Sequence, residues 1–198
     1  MLGVILAGGQ NRRYGSEKAF IRLGDRPLIE GILDTMKAAL EEVVIITNDA
    51  ANYRHLECEV LEDEIPGNGC LGGLYTGLKR SPSGEIFLVA CDMPFLKREF
   101  IEYMQTRTDG YDVVIPRTEV LQPMHAIYAT GCLPHIEALM REGNLKILDF
   151  FDKVRLKEVG SEEVARFDPR GIMFFNINTP QDLEEAERLH SASSTLSP

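Results

Sequence analysis

The chain has 198 residues, 44% of them apolar and 26% charged, which suits one well-filled domain and leaves no run long enough to span a bilayer. The 31 acidic residues outnumber the 21 basic ones, giving a net charge of −10 at pH 7, so the basic footprint of a nucleic-acid or anionic-membrane partner is missing. Cys58, Cys70, Cys91 and Cys132 stand far apart with no C-x-x-C pair; this excludes a zinc ribbon or dense disulfide framework and fits a reducing, cytoplasmic compartment.

The chain opens on the apolar run of residues 2–7, too short for a signal-peptide core and with no basic region before it, and so a buried first strand. The run leads into "LAGGQNRRYGSEK", residues 6–18, where two glycines are followed by Arg12, Arg13, Gly15 and Lys18. Glycines let backbone N–H groups approach phosphate oxygens, and the cations neutralise their charge, so this is an anion-binding loop. An ordinary solvated turn is the competing reading. The spacing matches neither the P-loop nor the G-x-G-x-x-G dinucleotide fingerprint.

Further strands are expected at 43–47, 59–61, 86–90, 113–116 and 125–130. Helical faces lie between them: Leu28, Ile32, Leu33 and Met36; Leu71, Leu74 and Leu78; Phe100, Ile101 and Met104. Short β-branched runs alternating with amphipathic helices predict an α/β fold, a three-layer α/β/α sandwich on a mainly parallel sheet. After residue 116 the spacing predicts a helix over 133–141 and an edge strand over 154–159. A last helix is predicted to start with Thr179 as its cap, Pro180 at the first position and Asp182 in the first turn. Residues 191–198 read as a disordered tail behind a single domain over 1–190.

The opening segment "LAGGQNRRYGSEKAFIRLGDRPLI" resembles the signature of the MobA family, the molybdenum cofactor guanylyltransferases. "PGNGCLGGLYTGL", "LVACDMPFL", "PMHAIY" and "FFNINTPQDL" are similar to further family segments and occur in the family's order, so the resemblance spans residues 2–189. Tyr14, Glu17 and Cys70 depart from the usual methionine, aspartate and proline. The resemblance implies a Rossmann-like sheet of the nucleotide-diphospho-sugar transferase type. Its N-terminal half would bind nucleotide and its C-terminal half the acceptor. The implied reaction transfers GMP from GTP to the phosphate of molybdopterin or Mo-molybdopterin, with Mg²⁺ as cofactor and pyrophosphate as product. Proteins that insert molybdenum or mature molybdoenzymes would be its partners. Cytidylyl or uridylyl transfer to molybdopterin or to a sugar or isoprenoid phosphate is an alternative, and a non-catalytic carrier a second.

Such a transfer needs cations, a divalent metal and a base pocket. The resemblance implies that Leu6, Ala7, Gly8 and Gly9 hold the guanine nucleotide. A glycine at position 8 also leaves room for a purine, although the turn alone could require it. Arg13 and Lys18 are the candidates for the β- and γ-phosphates, with Arg12 in support. Asp92 ends the apolar run "EIFLVACD", where a carboxylate points into the ligand crevice of an open α/β sheet and suits Mg²⁺; capping of its own turn is the competing reading. Asp63 and Asn48 are expected at the nucleotide rim, against a solvated loop and a simple strand end. His125, Asn176 and Asn178 are candidates for the acceptor site, with Lys146 a further cation there. A core histidine, and hydrogen bonds that tie down the last strand, are the competing readings for His125 and Asn176.

Overall fold

The computed structural model describes residues 1–8 and 18–194. Its frame is a seven-stranded sheet built from β1 (Leu2–Leu6), β4 (Glu42–Thr47), β5 (Glu59–Glu62), β6 (Glu85–Ala90), β7 (Val113–Pro116), β8 (His125–Ala129) and β9 (Leu156–Val159). The strand order is β5-β4-β1-β6-β8-β7-β9. The short strands β2 (Arg22–Leu23) and β3 (Arg26–Pro27) form a separate antiparallel ribbon. The central strands are apolar on both faces because helices cover both: every residue of β1 is buried.

One face carries α1 (Leu28–Ala39), α3 (Arg98–Gln105) and the start of α6 (Pro180–Ser194), whose Ile29, Phe100 and Ala186 join Ile5, Phe87 and Ile127 of the strands in one core. The other carries α2 (Gly69–Arg80) and α4 (Leu133–Arg141), whose Leu71, Leu74 and Ile136 pack on Val4, Leu88 and Tyr128. The short helix α5 (Ser161–Ala165) follows β9. α2 lies unusually close to β1: a Cβ on Gly73 would sit 2.7 Å from the Leu6 side chain, so only glycine allows this approach.

The sheet is mainly parallel, as expected, with β8 running antiparallel to both β6 and β7. Strand β8 returns through a tight hairpin, closed by the Arg117–Leu121 bridge, and a direct reversal of this kind makes its strands antiparallel. One expectation is corrected: residues 191–194 are helical where a disordered tail was expected, and the tail expected at 195–198 lies outside the described residues. α6 continues through Ser194, and the Ser191 hydroxyl donates to the Glu187 carbonyl at 2.9 Å. The predicted start of α6 matches the structure. Thr179 Oγ1 accepts from Asp182 N–H at 3.2 Å, and Asp182 Oδ2 accepts from Asn178 and Thr179 N–H, both at 2.8 Å.

Candidate active site at the carboxyl ends of β1 and β6

The chain leaves β1 toward β4 and β5 and then crosses to β6 on the opposite side. Strands β1 and β6 therefore flank a topological switch point, where open α/β sheets form their ligand crevice. The ladders continue one residue past the strands: Ala7 N–H donates to Ile46 O at 2.9 Å, and Cys91 N–H to Leu6 O at 3.0 Å. Gly8, Asn48 and Asp92 follow directly as the first residues free of the sheet. Tyr53, buried at 1% exposure, supports this floor by donating from its hydroxyl to Ala7 O at 3.3 Å.

Three distant segments meet here. Lys18 Nζ lies 3.2 Å from Asp92 Oδ2 and 2.6 Å from Asn178 Oδ1, across separations of 74 and 160 residues. The lysine begins a 3-10 turn, Lys18–Phe20, anchored by buried Ala19 and by the Phe20 ring 5.0 Å from that of Tyr53. Asn178 is set by Ile177, whose N–H donates to the Asp92 carbonyl at 2.9 Å, and by the cap of α6. Backbone N–H donation from Asn178, with help from Thr179 and the Lys18 charge, holds the Asp182 carboxyl below its ordinary value. Asp92 Oδ1 is buried and has no hydrogen-bond partner among the described residues. Such an oxygen calls for a cation or donor.

The nucleotide candidates divide. Gly8 and Asn48 are neighbours, a Cβ on Gly8 lying 3.8 Å from Asn48 N and Nδ2. Asp63 faces the first turns of α2: its Oδ1 accepts from Ile65 N–H at 3.0 Å and lies 3.2 Å from Thr76 Oγ1. Thr76 also accepts from Glu64 N–H at 3.0 Å, so it organises the whole turn. Gly9, Arg12 and Arg13 lie outside the described residues.

The acceptor candidates divide as well. Asn178 reaches the charged cluster, but Asn176 Nδ2 turns back to the Phe174 carbonyl at 2.9 Å. Lys146 lies in the exposed turn after α4, its N–H bonded to Asn144 Oδ1. The expectation that His125 touches the acceptor is not met. Its ring has no exposure and is enclosed by Phe87, Phe100 and Phe174, with centroids 5.2, 5.7 and 5.2 Å away. Neither ring nitrogen has a partner among the described residues, and burial pushes its pKa down to about 3. Position one of an inward-facing strand residue, opposite Val89 of β6, put it in the core.

Sequence reasoning missed Tyr53, Thr76 and the reach of Asp182. A hydroxyl four residues after Gly72 on an apolar helix face was the available signal for Thr76, which is 2% exposed. None of the four cysteines is in a disulfide; Cys132 is buried and the other three are half-buried. A groove of about 380 Å³ between α2 and α4, lined by Ile65, Asn68, Tyr75, Glu137, Met140 and Arg141, contains none of the predicted site residues.

The mostly parallel sheet, at whose switch point a lysine, a carboxylate and an amide converge, is the frame of a nucleotidyltransferase. Within that class, the MobA-like NTP transferase domain matches residues 3–158, and the chain belongs to this family. A protein of Pelotomaculum thermopropionicum described as a probable molybdenum cofactor guanylyltransferase is 38% identical over 98% of this chain and 95% of its own length. The molybdenum cofactor guanylyltransferase of Desulfosudis oleivorans is 35% identical over 93% of each. The crystal structure of molybdopterin-guanine dinucleotide biosynthesis protein A from Archaeoglobus fulgidus superposes with a TM-score of 0.86 at 31% identity. It covers 97% of this chain and all of its own.

Proposed function

We propose that the protein is a guanylyltransferase that moves GMP from GTP onto the terminal phosphate of molybdopterin or its molybdenum-loaded form and releases pyrophosphate. The family supports the reaction. The observation that carries it is the meeting of Lys18, Asp92 and Asn178 where β1 and β6 end.

In the reaction an acceptor phosphate oxygen bonds to the α-phosphorus while the bond to the pyrophosphate oxygen breaks. The acceptor is already anionic, so no side chain acts as nucleophile, and the work is positioning and charge neutralisation. Lys18 can meet the triphosphate as a mobile point charge on an anchored turn. Ala7, Gly8 and Asn48 form a rim for the base. Among the described residues a Cβ at position 8 would approach nothing closer than 3.8 Å, and the φ of Gly8 is not left-handed. We take the space it leaves as room for guanine.

The residues fit Mg²⁺. The partnerless Asp92 Oδ1 and the Asn178 amide oxygen are hard donors, and Mg²⁺ ordinarily takes one or two protein oxygens with phosphate and water. No group of three or more His, Cys, Asp or Glu suited to a metal occurs among the described residues. Bound there, the ion would neutralise charge developing on the transferred phosphate and the leaving group. The composition and the spaced cysteines favour the cytoplasm. Among the described residues no helix is long and apolar enough to cross a membrane.

Thermal unfolding with GTP, CTP, UTP and ATP tests the nucleotide. A hundredfold excess over Kd adds about 2.7 kcal/mol to stability, and GTP should give the largest shift. A larger shift with CTP or UTP would overturn the base. Absence of pyrophosphate release with GTP and molybdopterin together would overturn the transfer itself.

A further inference from the structure

Lys18 sits in an unusual place for a lysine that serves phosphates. Its side chain is only 13% exposed, and its ammonium lies on Asp92 Oδ2 and Asn178 Oδ1. These are the two side chains whose oxygens suit a divalent cation. One positive charge therefore already answers the carboxylate and uses the amide oxygen. The backbone beneath it is fixed, with Ile21 N–H donating to Lys18 O at 3.1 Å. The four-carbon stem above that turn is free to swing.

We propose that Lys18 keeps the Asp92–Asn178 pair closed to a divalent cation until a nucleoside triphosphate draws its ammonium away, so that metal and nucleotide enter together. The inference rests on the metal assignment proposed above. A divalent ion on Asp92 would face an ammonium 3.2 Å from the same carboxylate, in a site where water screens little because both side chains are less than one-fifth exposed. A triphosphate offers the lysine several anionic oxygens at once. As the ammonium moves to them, the carboxylate is left unneutralised and attracts the ion. The ion in turn removes the reason for the lysine to return. Each ligand then raises the affinity for the other by the same factor. Lys18 thus has two positions and two tasks: it stands in for the metal's charge first and neutralises phosphate afterwards.

The test uses Mn²⁺ as probe and the electron paramagnetic resonance signal of unbound Mn²⁺ as readout, on the full chain, with and without GTP. The proteins are the wild type, Lys18→Ala, Lys18→Gln and the double variant Lys18→Ala/Asp92→Asn. Two lysine variants guard against one that fails to fold, and each is checked by its unfolding midpoint. Without GTP, Lys18→Ala and Lys18→Gln should hold Mn²⁺ at least ~10-fold more tightly than the wild type, and the double variant should lose that gain. Beyond the Mn²⁺ that GTP takes up in a protein-free control, GTP should tighten Mn²⁺ binding by the wild type. If GTP does so but neither lysine variant gains affinity without it, the closing role of Lys18 is overturned while the metal assignment stands. If GTP leaves wild-type Mn²⁺ binding unchanged, the coupled entry is overturned; if the double variant keeps the gain, the assignment to Asp92 falls and the proposal falls with it.

Discussion

Replacing His125 by phenylalanine should make the protein more stable, and more so in acid. The imidazole is fully buried among three phenylalanine rings, and both its nitrogens lack partners among the described residues. Leaving a buried polar group unsatisfied costs about 1–3 kcal/mol. A slightly larger ring gives back part of that through crowding, so a net gain of about 1–2 kcal/mol at pH 7.5 follows. The acid dependence is sharper. The unfolded chain takes up a proton on this residue below pH 6.5, whereas the folded chain does not until about pH 3. Unfolding is therefore favoured progressively as pH falls from 6.5, at about 1.4 kcal/mol per pH unit. Above 6.5 both states are neutral and the effect vanishes. By pH 5 the wild type should have lost about 2 kcal/mol through this group alone. Carboxylates that also titrate in acid are common to both proteins and cancel in the comparison. Urea unfolding at pH 7.5, 6.0 and 5.0 measures the gap between wild type and His125→Phe. A gap that stays constant from pH 7.5 to 5.0 would refute the reasoning, because the imidazole would then take up its proton in the folded and the unfolded chain alike.

Gly8→Ala should leave the unfolding free energy from urea titration within about 1 kcal/mol of wild type, since among the described residues the new methyl meets nothing closer than 3.8 Å. GTP affinity should fall at least ~10-fold in a calorimetric titration; unchanged affinity would show that the base does not use this space. Gly72→Ala would set its Cβ 2.6 Å from Asp63 Oδ2 and 2.9 Å from the Ile65 carbonyl. The turn must move, destabilising the protein by about 1–3 kcal/mol and weakening GTP binding; an unaltered midpoint would contradict the close packing of that turn on α2.

Strand positions and helix faces were readable because each depends on local spacing. The bounds of α4 and the cap of α6 at Thr179 follow from residues within a few positions of one another. The direction of β8 was not readable, because it depends on the connection and not on the apolar content of "HAIYA". The ribbon of β2 and β3 was missed although Gly24-Asp25 between two short runs is a hairpin signal. At the site, Lys18, Asp92 and Asn178 were picked out by motif, but their mutual contact required the sheet to bring together residues up to 160 apart. The fate of His125 depended on Phe87, Phe100 and Phe174, which come from three different parts of the chain. No local pattern around position 125 encodes that enclosure.

The segment that carries Asn178 belongs to no strand of the sheet. Its backbone reaches the Asp92 carbonyl through Ile177, while buried Met173 and Ile177 moor it to the core. Loss of that mooring would remove Asn178 from Lys18 and leave all six ladders of the seven-stranded sheet in register. Heat inactivation and global melting are therefore separable events in this molecule. Turnover should fail on warming before circular dichroism reports any loss of sheet, and stiffening residues 172–178 would extend the working temperature without raising the melting point of the domain.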